Sequence, residues 1–117
     1  MNFKLPKNER LHAEKLIKEL FNEGSSFFLY PFKVLFLTKP EFKGKGNQVL
    51  FSVSKKKIRK ATGRNFIKRR LKEAYRLNKE ITPPEGIILG LIFVGKQEMS
   101  FSEIQPKMIQ VLQRLNQ

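Results

Sequence analysis

Apolar residues recur along the chain with changing period. Leu11, Leu16, Ile17, Leu20 and Phe21 fall at near-helical spacing with Lys15, Lys18 and Glu19 between them, which predicts a first helix ending near Glu23. Gly24 then stands where a left-handed C-cap belongs. Ser26 to Thr38 is rich in aromatic and β-branched residues, with Phe32, Val34 and Phe36 on one face. Pro31 interrupts it, and its missing N–H suits an edge or a bend. Lys39 to Asn47, with Pro40, Gly44 and Gly46, reads as a hairpin loop into a second strand over about Gln48 to Ser54. Helical spacing returns from about Lys60 to Lys79 and stops at Thr82, Pro83, Pro84 and Gly86. Ile87 to Val94 is a nearly unbroken apolar run of strand length, the pattern of an interior strand covered on both faces. A last helix is expected from Ser102, as its N-cap, to Leu115, burying Ile104, Met108, Val111, Leu112 and Leu115. Pro106 is tolerable there if it falls in the first turn.

This order, αβββαβα, fits an α+β two-layer sandwich with one central sheet, the second helix joining two parallel strands as a βαβ unit. General statistics make such a crossover right-handed. A length of 117 residues fits one domain, and 40% hydrophobic residues with 11 Phe are too much packing material for a disordered tail.

Composition then removes several kinds of chemistry. There is no Cys, so no disulfide, thiolate nucleophile or Cys-ligated metal site is expected. There is no Asp, and the ten acidic residues are all Glu, scattered singly, which argues against a protein-built two-metal centre. The single His12 reads as a surface residue on the first helix rather than a catalytic base. Met1 to Arg10 carries no apolar core of signal-peptide length, and Ile87 to Val94 is far short of the roughly 20 residues that span a bilayer. A soluble cytoplasmic protein without a membrane partner is the expectation.

The charge points to a partner. Lys and Arg number 24 against 10 acids, a net charge of +14. Twelve of the 24 lie between Lys55 and Lys79, accompanied by one acid, Glu73. At about 100° per residue, Ile67, Leu71, Ala74 and Asn78 project together, while Asn65, Lys68, Arg69, Lys72 and Arg76 project to the far side. Lys68, Lys72 and Arg76 stand four residues apart and repel in series, a cost that a phosphate backbone relieves with release of counterions. An anionic membrane would need a free apolar face, and this helix needs that face for the core. Lys55, Lys56, Lys57 and Lys60 lie on the approach to the helix, where exposed N–H groups and the helix dipole favour anions.

The string Ser52-Val53-Ser54-Lys55-Lys56-Lys57, followed by Arg59-Lys60-Ala61-Thr62-Gly63-Arg64-Asn65-Phe66-Ile67-Lys68-Arg69-Arg70-Leu71-Lys72-Glu73-Ala74-Tyr75-Arg76, resembles the signature of the bacterial ribonuclease P protein component. The likeness extends to Arg10-Leu11, to Phe21 with Gly24, and through the Pro-Gly stop, the apolar last strand and the final helix. It implies a small protein subunit of a ribonucleoprotein endonuclease that removes the 5′ leader of precursor tRNA, with catalysis carried by the RNA subunit and no catalytic residue on the protein. By resemblance, Arg64, Asn65, Lys68, Arg69, Arg70, Lys72 and Arg76 dock on the catalytic RNA. Phe66 stands where the motif's second Arg usually is, and Lys72 replaces an Arg, keeping charge without bidentate geometry.

The resemblance also implies a cleft between the first helix and the sheet that holds the single-stranded leader. Its matching positions are Ile17 and Phe21 on the helix and Lys33 and Leu35 on the strand, with Lys55, Lys56, Lys60 and Lys96 nearby. Ile17 and Leu35 are aliphatic where aromatics are common, so Phe21 carries most of the stacking. Further implications are a left-handed βαβ crossover, magnesium held mainly by RNA and substrate phosphates, and two partners, the ribonuclease P RNA subunit and precursor tRNA, with no obligate protein partner. A structural RNA binder of the ribosomal kind would share the basic helix. It differs in leaving no free cleft and in not stimulating a ribozyme.

Overall fold

The computed structural model describes residues 9–42, 46–82 and 86–116. Helix α1 runs over Glu14–Glu23, strand β1 over Ser25–Leu29, β2 over Phe32–Thr38, β3 over Gln48–Val53, helix α2 over Ala61–Asn78, β4 over Ile87–Phe93 and α3 over Phe101–Leu115. Short 3-10 turns at Pro40–Phe42 and Lys79–Ile81 follow β2 and α2. The four strands form one sheet in the order β1-β2-β4-β3, antiparallel except for the parallel β3–β4 pair that α2 connects.

The expected hairpin between β2 and β3 does not form, because β4 lies between them. β4 is buried along almost its whole length on both faces, whereas β3 alternates buried Val49, Phe51 and Val53 with more exposed residues. The central position goes to the strand with no polar face to keep wet, and the half-polar strand takes the edge. Part of the expected loop, 43–45, and Pro83 and Pro84 of the expected helix stop lie outside the described residues. β1 and β2 do pair as a hairpin, with Tyr30 and the cis-bonded Pro31 as the connection.

One sheet face carries the main core. Phe32, Val34, Val49, Phe51, Leu89, Leu91 and Phe93 meet Ile67, Leu71, Ala74 and Tyr75 of α2 and Ile104, Met108, Val111 and Leu112 of α3. Edge-to-face ring pairs join Phe32 to Phe93 and Phe51 to Tyr75, with centroids 6.4 and 5.8 Å apart. This layer is the expected sandwich. On the other face α1 sets Leu20 over Leu35 and Ile88, with Leu16 and Ile17 beside them.

Helix ends depart from expectation in two places. Gly24 is extended (φ −69°, ψ 152°) rather than left-handed, because β1 begins at the next residue. Glycine is required there by space: a Cβ would lie 2.4 Å from the Leu20 carbonyl oxygen. The N-cap of α3 is Ser100, not Ser102. Its Oγ accepts from the Glu103 N–H while the Glu103 carboxylate accepts from the Ser100 N–H, a reciprocal box that outcompetes a lone serine two residues on. Pro106 is therefore the sixth helical residue, on the exposed side of the second turn.

Candidate nucleic-acid interface

The two ends of the sheet sort the charges. Near the start of β4, Lys39 pairs with Glu19 at 2.7 Å and with Glu41 at 3.3 Å, and Lys79 pairs with Glu9 at 3.2 Å. The two carboxylates raise the Lys39 pKa, while Glu41 is lowered first by a backbone hydrogen bond and then by Lys39. The opposite end, where β3 and β4 finish and β2 begins, gathers Lys33, Lys55, Lys56, Lys57, Arg59, Lys60 and Lys96, all exposed. None of these seven is in an ion pair among the described residues. Uncompensated cations gathered at one end form the electrostatic footprint of a polyanion site.

That end also holds the uncovered part of the α1 face. Strand register places Phe28, Lys33, Ile92 and Ser52 in one row across the sheet on that face. Leu20 covers the next row, lying against Leu35 and close to Gly90. Glu19, on one flank of α1, reaches Lys39 beyond the end of β2, so Ile17 and Phe21 on the opposite flank lie toward Lys33. Phe21 and Phe28 are 53% and 61% exposed, large values for aromatic rings, Phe28 meeting only the exposed Tyr30 ring among the described aromatic residues. Ile17, Phe21, Phe28, Lys33, Ile92 and Ser52 thus share the region where the leader cleft is expected, at the end of the sheet that gathers Lys55, Lys56, Lys60 and Lys96. Leu35 is 6% exposed beneath Leu20 and supports the cleft from below rather than lining it. Phe28 was not among the residues the sequence singled out. Strict alternation in β1, with Phe27 and Leu29 turned to the main core, is the signal that turns it to this face.

On α2 the expected docking residues separate into three groups. Asn65, Arg69 and Lys72 are exposed on the outer face. Arg64 folds back, its Nη1 donating to the carbonyls of Ile58 (3.0 Å) and Arg59 (2.7 Å), so it braces the lysine-rich turn before the helix. Arg76 pairs with Glu73, which reduces the expected repulsive series to Lys68 and Lys72. The Arg70 guanidinium lies 3.4 Å above the centre of the Phe66 ring, on the flank toward Phe101 that Arg69 also borders. The arginine expected at position 66 is thereby replaced by a platform for another arginine. Gly63 packs inside the protein, where a Cβ would come 3.0 Å from Ile58 Cγ2, which accounts for a glycine in the first turn.

Lys68, half-buried, and Lys72, at the border of the outer face, line a cleft of about 330 Å³ with Arg10, Leu11, His12, Val49, Leu50 and Phe51. His12 precedes α1 rather than lying on it, and its Nδ1 donates to the Arg10 carbonyl at 2.8 Å. Among the described residues no three His, Cys, Asp or Glu side chains come together as a metal site, and no helix is long and apolar enough to cross a membrane.

Fold and charge together define a small basic α+β protein with a half-covered sheet face. Residues 5–116 match the Ribonuclease P family, and the chain belongs to that family. It is 36% identical over 104 residues to the ribonuclease P protein component of Chlorobium phaeobacteroides, covering 86% of this chain and 67% of that protein. The corresponding protein of Porphyromonas gingivalis is 42% identical over 79 residues. That match takes in 68% of this chain and spans 58% of the relative's length. The RNase P protein from Thermotoga maritima superposes with a TM-score of 0.74 at 29% identity, over 91% of this chain and 96% of that one.

Proposed function

We propose that this chain is the protein subunit of ribonuclease P, docking on the catalytic RNA through the outer face of α2 and holding the single-stranded 5′ leader of precursor tRNA in the cleft beside α1. The observation that carries this reading is the row Phe28, Lys33, Ile92 and Ser52, which α1 leaves in reach of solvent, set among cations that have no carboxylate partner among the described residues. Exposed rings accept a base by stacking without choosing its identity, and lysines track a backbone, which suits a leader of any sequence. Asn65, Arg69 and Lys72 meet phosphates on the other side of the α2 N-terminus. Hydrolysis of the phosphodiester belongs to the RNA in this scheme. The chain's own residues do not fit a magnesium site, since no three carboxylate or imidazole side chains come together among the described residues, and the Glu19 and Glu41 carboxylates that do meet are both paired with Lys39. The ion is assigned to RNA and substrate phosphates, and the protein's part is binding and orientation in the cytoplasm.

Cleavage of precursor tRNA at low magnesium tests this. The arms are RNA subunit alone, protein alone, both together, and both with Asn65→Ala and Arg69→Ala. Stimulation of 5′ cleavage only by the pair, lost in the double variant, is expected. If six to eight phosphates are neutralised, log K falls against log salt with a slope of roughly −4 to −7. Tight, salt-sensitive RNA binding without any stimulation would instead mark a structural RNA binder.

A further inference from the structure

The cleft that Lys68 and Lys72 share with Arg10 and His12 lies on the outer edge of β3, where Leu11 and Leu50 join it to the cluster beneath α1. At about 330 Å³ it is at the small end of ligand pockets. Its walls are cationic: Arg10, Lys68 and Lys72 have no ion-pair partner among the described residues, and no carboxylate lines it. Its floor is apolar, formed by Leu11, Val49, Leu50 and Phe51. The backbone adds a polar edge. Val49 turns its carbonyl outward to the Leu11 N–H at 2.8 Å, in the one bridge that residues 10–11 make with β3. Two residues on, strand alternation turns the N–H and C=O of Phe51 the same way, past the end of that bridge. A donor and an acceptor stand side by side above apolar side chains, between three cations.

A free phosphate has no use for the apolar floor or the peptide edge. A planar heterocycle with its own donors and acceptors, carried on a phosphate chain, uses all three features. We infer that this cleft holds one unstacked nucleotide of single-stranded RNA, its base edge against the Phe51 peptide groups and its flanking phosphates on Arg10, Lys68 and Lys72. It is a second RNA-reading site, separate from the leader cleft, and could fix the register of the RNA on α2. The inference rests on α2 being the face that meets RNA.

Amide and imidazole NMR shifts of the full chain, titrated with a short oligouridylate, a short oligoadenylate and inorganic phosphate, test it. Binding by either oligonucleotide moves the Leu11, His12 and Phe51 signals, and Arg10→Ala with Lys72→Ala weakens that response about tenfold through loss of two phosphate contacts. Shifts confined to Phe21, Phe28 and Lys33 would overturn the inference. So would inorganic phosphate reproducing the oligonucleotide shifts at Phe51, or an extended acidic peptide moving these amides where RNA does not. Asn65→Ala with Arg69→Ala separates the two readings. It weakens docking on the RNA subunit yet leaves the oligonucleotide shifts at Leu11 and Phe51 in place, so loss of docking with those shifts retained is a failure of neither, whereas unchanged docking with shifts retained removes the α2 reading alone.

Discussion

One sheet meets two different covers. Against α2 and α3, the inward residues of β2, β3 and β4 are closed off from solvent, from Phe32 and Val34 to Leu91 and Phe93, except at the end of β2, where Phe36 is half-buried and Thr38 exposed. Against α1, a single helix of ten residues shields Leu35 and Ile88 and leaves Phe28, Lys33, Ile92 and Ser52 in reach of solvent. The same strands supply both faces, since Phe32, Val34 and Phe36 point one way and Lys33, Leu35 and Leu37 the other. The difference teaches that stability is concentrated on the closed face, freeing the open face to keep exposed aromatics and lysines without an ion-pair partner among the described residues, which a closed core would not tolerate.

The largest effect that could break this division lies on the closed face. Leu71 is fully buried in α2, and Leu71→Ala removes packing and leaves a cavity between helix and sheet. A loss of about 3 kcal/mol is expected, read as a lower denaturation midpoint with an unchanged urea m-value. A loss below about 1 kcal/mol would mean that the closed face is not where stability resides.

The open face should respond the other way round. Phe28→Ala and Phe21→Ala remove half-exposed rings and should change stability by no more than about 0.5 kcal/mol. Each should weaken binding of a precursor carrying a leader by about 1 to 2 kcal/mol, the worth of one base stack, and leave binding of leaderless tRNA unchanged. Equal losses with both RNAs would place the rings outside the leader's path.

Much of this division is legible along the chain. The 3.6-residue spacing of α1, α2 and α3 and the unbroken apolar run of β4 are local signals, and each element forms near its expected place. Pairing is not local. The loop after β2 carries hairpin residues, yet β4, some fifty residues on from β2, takes the place beside it. The basic character of α2 was likewise legible, but not which cations are free. Arg64 is engaged by the Ile58 and Arg59 carbonyls, Arg70 by a ring that replaced an arginine, and Arg76 by Glu73, and each engagement depends on a neighbour placed by the fold. Alternation within β1 turns Phe28 away from Phe27 and Leu29, but its place beside Lys33 depends on the β1–β2 register, which the fold sets.

A smaller effect sharpens the closed face at its edge. Ser100 caps α3 through the reciprocal bonds with Glu103, and Ser100→Ala should cost about 1 kcal/mol in thermal or urea unfolding. Ser102→Ala, at the cap expected from sequence, should be close to neutral. The reverse order would restore Ser102 as the start of the helix.

The smallest effect is silent at neutral pH and separates the faces by ionisation. Tyr75 is 1% exposed among the main-core residues, and burial pushes its phenol up to about 12. A phenol that is neutral when folded binds its proton more tightly there than in the unfolded chain, whose value stays near 10.0. The stability this represents is complete below about pH 10 and is lost as pH rises toward 12, because the unfolded state gives up its proton first. Ultraviolet titration of the phenolate should therefore show a late step that coincides with alkaline unfolding. Tyr75→Phe should abolish that step and shift the alkaline unfolding midpoint upward, while Tyr30→Phe, at an exposed position by the open end, should leave both unchanged. A late step that survives Tyr75→Phe would show that the closed face admits hydroxide before it unfolds, and that its separation from the open face is one of shape and not of solvent access.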